Sequence, residues 1–180
     1  MVTRLGQAFA GKWKDAFARL EMAYNQRSWQ FVTESHAPED SLFSLMDKSD
    51  GASFLLRLEL LSESLTEDEE IPMDFFEKWA LENSDAIAES LLEPIEEKGM
   101  VRERLGRRVL DVSERTFHSF AYVVINPKFR MQFLEQAFII EQGTIVMIQF
   151  TWPYSEVPWP GSFPIKLKVL VEGLNVRLEG

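Results

Sequence analysis

The sequence predicts an α+β fold, an antiparallel sheet with a C-terminal three-stranded meander, flanked by helices. Three observations carry this expectation. Apolar residues recur at helical spacing over residues 5–24 and again over residues 75–95. Two strand-like runs flank Asp50-Gly51, a dipeptide suited to the tight turn of a hairpin. Three runs rich in β-branched and aromatic residues then follow one another, divided by the turn signals Asn126-Pro127-Lys128 and Gln142-Gly143.

The elements follow in order. Leu5, Phe9, Trp13, Phe17, Leu20 and Tyr24 stand three or four residues apart, which predicts an amphipathic helix over residues 1–26. Its apolar face packs on the domain or docks on a partner, a second copy of the chain being one choice. Residues 29–33 are short and aromatic, as in a strand, and Pro38 marks a turn. Residues 41–47 and 52–61 form the hairpin around Asp50-Gly51; in the second strand Phe54, Leu56, Leu58 and Leu60 define the buried face. The acidic run 63–70 reads as a solvated loop that leads into a helix N-terminus. Residues 71–98 are helical, with Phe75, Phe76, Trp79, Ile87, Leu91 and Ile95 as the apolar stripe and Gly99 as the stop. Pro94 interrupts that helix, by a kink or a nearby break, because it lacks the amide a continuing turn uses.

Beyond Gly99 the pattern turns to strands. Residues 100–108 carry Arg102, Arg104, Arg107 and Arg108, either an exposed strand whose charges offset an acidic surface or an anion-binding patch. Residues 117–125, 129–140 and 144–152 make the meander. In its middle strand the apolar phase shifts near Leu134, which predicts a bulge or a change of buried face. Residues 152–164 hold four prolines with Trp152, Tyr154 and Trp159, an ordered loop or lid. Residues 165–178 read best as a closing amphipathic helix, with a strand as the alternative. No repeat or linker interrupts the chain. The expectation is one domain over residues 1–180, with the N-terminal helix at 1–26 and an α+β sandwich at 27–180.

Composition narrows the chemistry. The 180 residues include no cysteine, so disulfides and thiolate catalysis drop out. The formal charge of −10 disfavours nucleic acid and anionic lipid and favours a basic or apolar protein partner. No run reaches the ~20 apolar residues of a membrane span, and charges interrupt the N-terminal stretch before a signal core forms, so a cytoplasmic location is expected. His36 and His118 are too far apart to suggest a metal pair. No nucleophile elbow, phosphate loop or zinc motif occurs, and neither a catalytic residue nor a cofactor is expected. The acids at 63–70 lack calcium-loop spacing.

The order of helix, strands, long helix, meander and closing helix, with the phased segment FRMQFLEQAFIIEQGTIVMIQFTW, resembles the PsbP-like α/β/α sandwich shared by DcrB-type bacterial proteins. The resemblance covers residues 29–178, rests on element order, and carries over no functional residue. It implies a binding protein. Relatives of that architecture include photosystem accessory subunits, a nuclear-transport factor, and adaptor chaperones that hold hydrophobic segments of type VI secretion effectors. The expectation is therefore a bacterial, non-enzymatic protein-binding domain, a secretion-associated adaptor or chaperone, whose partner surface is Phe129, Met131, Phe133, Trp152, Tyr154 and Trp159. The alternatives are an immunity protein that neutralises a toxin through Glu67, Asp68, Glu69 and Glu70, and a small hydrolase that uses carboxylates in a cleft.

Overall fold

Strands dominate what a computed structural model of the chain describes, residues 10–60 and 84–178. In order these residues form β1 (Ala10–Lys14), β2 (Leu20–Asn25), β3 (Trp29–His36), β4 (Asp40–Asp47), β5 (Ser53–Leu60) and α1 (Ser84–Glu97). There follow β6 (Val101–Val112), β7 (Arg115–Ile125), β8 (Met131–Glu141), β9 (Thr144–Pro153), α2 (Ile165–Glu172) and β10 (Leu174–Val176). The strands make two antiparallel sheets, a small one ordered β1-β2-β10 and a seven-stranded one ordered β3-β4-β5-β9-β8-β7-β6. The acidic run 63–70 and the first part of the expected long helix, with Phe75, Phe76 and Trp79, lie outside the described residues.

The β4–β5 hairpin forms where its turn chemistry places it. The Asp47 carboxylate accepts from the amides of Ser49 and Asp50 at 2.7 and 3.3 Å. Gly51 takes φ +74, which costs glycine little. Phe54, Leu56 and Leu58 are buried, while Leu60 at the strand end is 40% exposed.

The predicted meander is present as β7–β8–β9, and β6 extends it to four consecutive strands. The bulge near Leu134 is not there. The β7–β8 register runs unbroken from Ile125↔Met131 to His118↔Phe138. The apolar phase shifts because β8 is a central strand buried on both faces, with every residue from Phe133 to Phe138 buried. The bulges lie instead in the two edge strands, between Phe31 and Thr33 in β3 and at two places in β6. Bulges blunt an edge that would otherwise template further pairing.

The N-terminal helix expected over residues 1–26 is overturned across residues 10–25, which form the β1–β2 hairpin. The sequence Gly11-Lys12-Trp13-Lys14-Asp15 alternates buried and exposed in strict period two. Ala18 at φ 59 makes the reversal, with Ala18 N donating to Asp15 O at 2.9 Å. Helix-compatible spacing lost to tertiary pairing, because β2 also bonds β10 from the far end of the chain. That same pairing divides the expected closing helix into α2 and β10. At their junction a Cβ on Gly173 would stand 2.3 Å from the Ala23 carbonyl oxygen, so only glycine fits. In α1 the helix continues past Pro94 to Glu97, and Gly99 follows at φ +65.

The large sheet lies in the middle. On one face Phe43, Phe54, Leu56, Ile148 and Phe150 meet Trp13, Leu20 and Met22 of the small sheet, Leu167 and Leu170 of α2, and Val176 of β10. On the other face Ala88 of α1 packs with Phe138 and Met147, and Leu92 with Tyr122 and Leu134. The fold is α+β and mainly antiparallel sheet. The layer opposite α1 is itself largely β, where helices were expected.

Candidate partner-binding surface

The six residues expected to form a partner surface separate into three groups. Phe133 and Trp152 are core residues, 2% and 3% exposed, with ring centroids 5.5 Å apart. They point into the layer shared with the small sheet and cannot meet a partner directly. Phe129, Met131 and Tyr154 remain outside at 90%, 44% and 45% exposure. Met131 and Tyr154 adjoin, since Tyr154 N donates to Met131 O at 3.2 Å, and the Tyr154 ring lies 5.1 Å from that of Phe133. Trp159 is half-buried and packs on the core.

The β7–β8 turn explains the exposure of Phe129. The Asn126 side-chain oxygen accepts from the amides of Lys128 and Arg130, each at 2.9 Å, and Asn126 N donates to Arg130 O at 2.9 Å. Phe129 N donates to Asn126 O at 2.9 Å while Phe129 takes φ 60, a conformation uncommon for a bulky residue. The turn therefore has its backbone bonds made and holds an aromatic ring in water. Asparagine at its first position was the sequence signal.

Behind this tip, residues 154–164 form the predicted ordered loop, held down by a contact that sequence reasoning missed. Arg108 of β6 donates from Nε and Nη2 to the two Glu135 oxygens at 2.6 and 2.8 Å, and Ser119 Oγ donates to Glu135 at 2.5 Å. The guanidinium lies 4.4 Å from the Phe163 ring centroid and 5.5 Å from that of Trp159. Glycine at 106 admits the tryptophan, since a Cβ there would come within 3.2 Å of the ring. The indole nitrogens of Trp152 and Trp159 and the Ser162 hydroxyl are buried without a hydrogen-bond partner. Arg108 read as one charge in a basic run; nothing local marked it as the piece beneath the loop.

Two other arginines of that run are also engaged. Arg104 bonds Glu89 and Glu96, and Arg107 lies 3.2 Å from Asp85. These pairs rim a half-open cavity of about 270 Å³ between α1 and β6–β7, floored by Phe120, Ala121 and Tyr122. Burial, with Glu89 nearby, pushes the Tyr122 phenol up to about 12, so it stays protonated at neutral pH. Among the described residues no group of three or more histidine or acidic side chains is placed to hold a metal. His118 stands in β7 near Phe138, its Nε2 buried without a partner. His36 joins the two sheets: Nδ1 accepts from Ala16 N at 3.1 Å and Nε2 is 3.1 Å from Glu34. Beside it Asp15 is buried. Burial alone would raise its carboxyl, but hydrogen bonds from Arg19 and Ser41 outweigh that and hold it below the usual carboxylate range. The acids Glu67, Asp68, Glu69 and Glu70 lie outside the described residues.

With this architecture in hand, comparison with known proteins separates fold from family. No protein-family model matches the chain, and no curated protein matches it. Solved structures do match. The cyanobacterial PsbP protein (CyanoP) from Synechocystis sp. PCC 6803 superposes with a TM-score of 0.54 at 12% identity, covering 98% of this chain and 97% of its own. The fold is PsbP-like. A protein from Bacteroides thetaiotaomicron VPI-5482 superposes with a TM-score of 0.55 at 10% identity over 96% of this chain, which spans 50% of that one. At such identities the likeness concerns the fold alone, and function has to be argued from the surface. Among the described residues no helix is long and apolar enough to cross a membrane.

Proposed function

We propose that this chain is a non-enzymatic protein-binding domain, a cytoplasmic adaptor or chaperone that receives an apolar segment of its partner at the tip formed by Phe129, Met131 and Tyr154. The exposure of Phe129, at 90% on a turn whose backbone bonds are made, carries the reading. A large apolar ring held in water by a specific turn is a cost without a structural return, and aromatic anchors of this kind are the residues that dominate binding energy at interfaces. Met131 and Tyr154 widen the patch, and methionine adapts to partners of varied shape.

The test is affinity capture with tagged wild-type protein beside a Phe129→Ser/Tyr154→Ser variant. The wild type should retain a partner through a salt wash, and the variant should lose it while unfolding at the same temperature. Retention of the same partner by both proteins would place the binding surface elsewhere.

A further inference from the structure

The tip carries local positive charge on a chain whose net charge is −10. Phe129 is flanked by Lys128 and Arg130, both exposed. Among the described residues neither pairs with a carboxylate, a condition shared with Lys12, Lys98, Arg102 and Lys168, whereas seven other arginines are paired. Here the turn spends its hydrogen bonds on the backbone. Asn126 takes the amides of residues 128 and 130, which leaves both side-chain charges to the solvent.

We infer that the apolar partner segment carries acidic residues beside its apolar anchor, and that Lys128 and Arg130 read them; this rests on the adaptor reading above. The inference runs against the overall charge, since an acidic protein would by its net field prefer a basic partner. Local charge decides here because screening limits each interaction to about 8–10 Å at ordinary ionic strength. An acidic flank then gains two counter-charges at the rim of the site, and a basic flank meets like charge.

The experiment uses the whole chain and two capped peptides with one common apolar core, flanked by glutamates in one and by lysines in the other. Binding is followed by amide shifts at residues 128–131 and 154. The glutamate-flanked peptide should bind about tenfold tighter at low salt, with the gap closing as salt rises. Lys128→Glu/Arg130→Glu should reverse the preference without moving the thermal midpoint, and Phe129→Ser should weaken both peptides alike. Equal affinity for the two peptides overturns the charge inference and leaves the adaptor reading standing. Failure of both peptides to bind overturns both. Vesicles of phosphatidylcholine and phosphatidylserine that shift the same amides while neither peptide does assign the tip to an anionic membrane surface, and the inference is wrong.

Discussion

Glu135 and Asp15 are built alike and behave differently. Each is almost wholly buried, and each takes one arginine and one serine hydroxyl: Arg108 with Ser119 in the first case, Arg19 with Ser41 in the second. Arg108 directs both of its donors that make hydrogen bonds to Glu135, and the rings of Phe163 and Trp159 cover its planar group. Arg19 spreads its bonds: Nε goes to Asp15, while its terminal nitrogens reach the carbonyls of Pro38 at 2.6 Å and Ala37 at 3.1 Å and the Ser41 hydroxyl at 3.2 Å. The difference lies in what the arginine retains when the acid is lost. Among the described residues Arg108, its side chain 23% exposed, would keep only aromatic faces; Arg19 would keep three acceptors. A buried ion pair is most consequential where its cation has no other acceptor.

The comparison is broken most directly at Glu135. Glu135→Ala should destabilise by about 3–5 kcal/mol in denaturant unfolding, because the guanidinium is stranded beneath the loop. Arg108→Met combined with Glu135→Leu should recover most of that loss. A double variant as unstable as the single one would show that the stranded charge is not the cause.

Asp15→Asn should cost less, about 1–2 kcal/mol, since Arg19 keeps its other acceptors. Its pH dependence sharpens the test. The folded carboxyl is held below its unfolded value of about 3.9, so its contribution is present above that pH and is lost as pH falls through the folded value. Asp47 acts in the same direction: burial would raise it, but the Ser49 hydroxyl and amide, with Lys166, hold it down. Wild type should therefore weaken steadily below about pH 4, and Asp15→Asn should weaken less over the same interval. Parallel acid limbs for the two proteins would remove Asp15 from the account.

The smallest effect is expected where α2 meets the β4–β5 turn. Lys166 lies 3.3 Å from Asp47 and also pairs with Asp50. Asp50 is partly exposed, and Asp47 keeps its bonds from Ser49, so Lys166→Met should change stability by no more than about 1 kcal/mol. A larger loss would mean that cations at this rim are as dependent on their acids as Arg108 is.

The sequence by itself determined the local grammar of the protein. Asp50-Gly51 announced a hairpin, Asn126-Pro127-Lys128 and Gln142-Gly143 announced the joints of the meander, and four prolines announced the loop; each is a backbone preference that needs no distant partner. Asparagine at 126 was legible as a turn residue, but Phe129, expected as the first residue of the middle strand, stands in the turn itself. Tertiary structure decided the rest. Trp13, Leu20 and Tyr24 suit a helix by spacing, while Leu20, Met22 and Tyr24 alternate as a strand does, and only the arrival of β10 beside β2 settled the choice. The same holds for the candidate surface. Phe133 and Trp152 are indistinguishable in sequence from Phe129 and Tyr154, but the first pair faces the small sheet and α2 while the second reaches past their edge. Hydrophobicity says that a side chain gains by leaving water; which side chains find cover depends on what the rest of the chain lays over them.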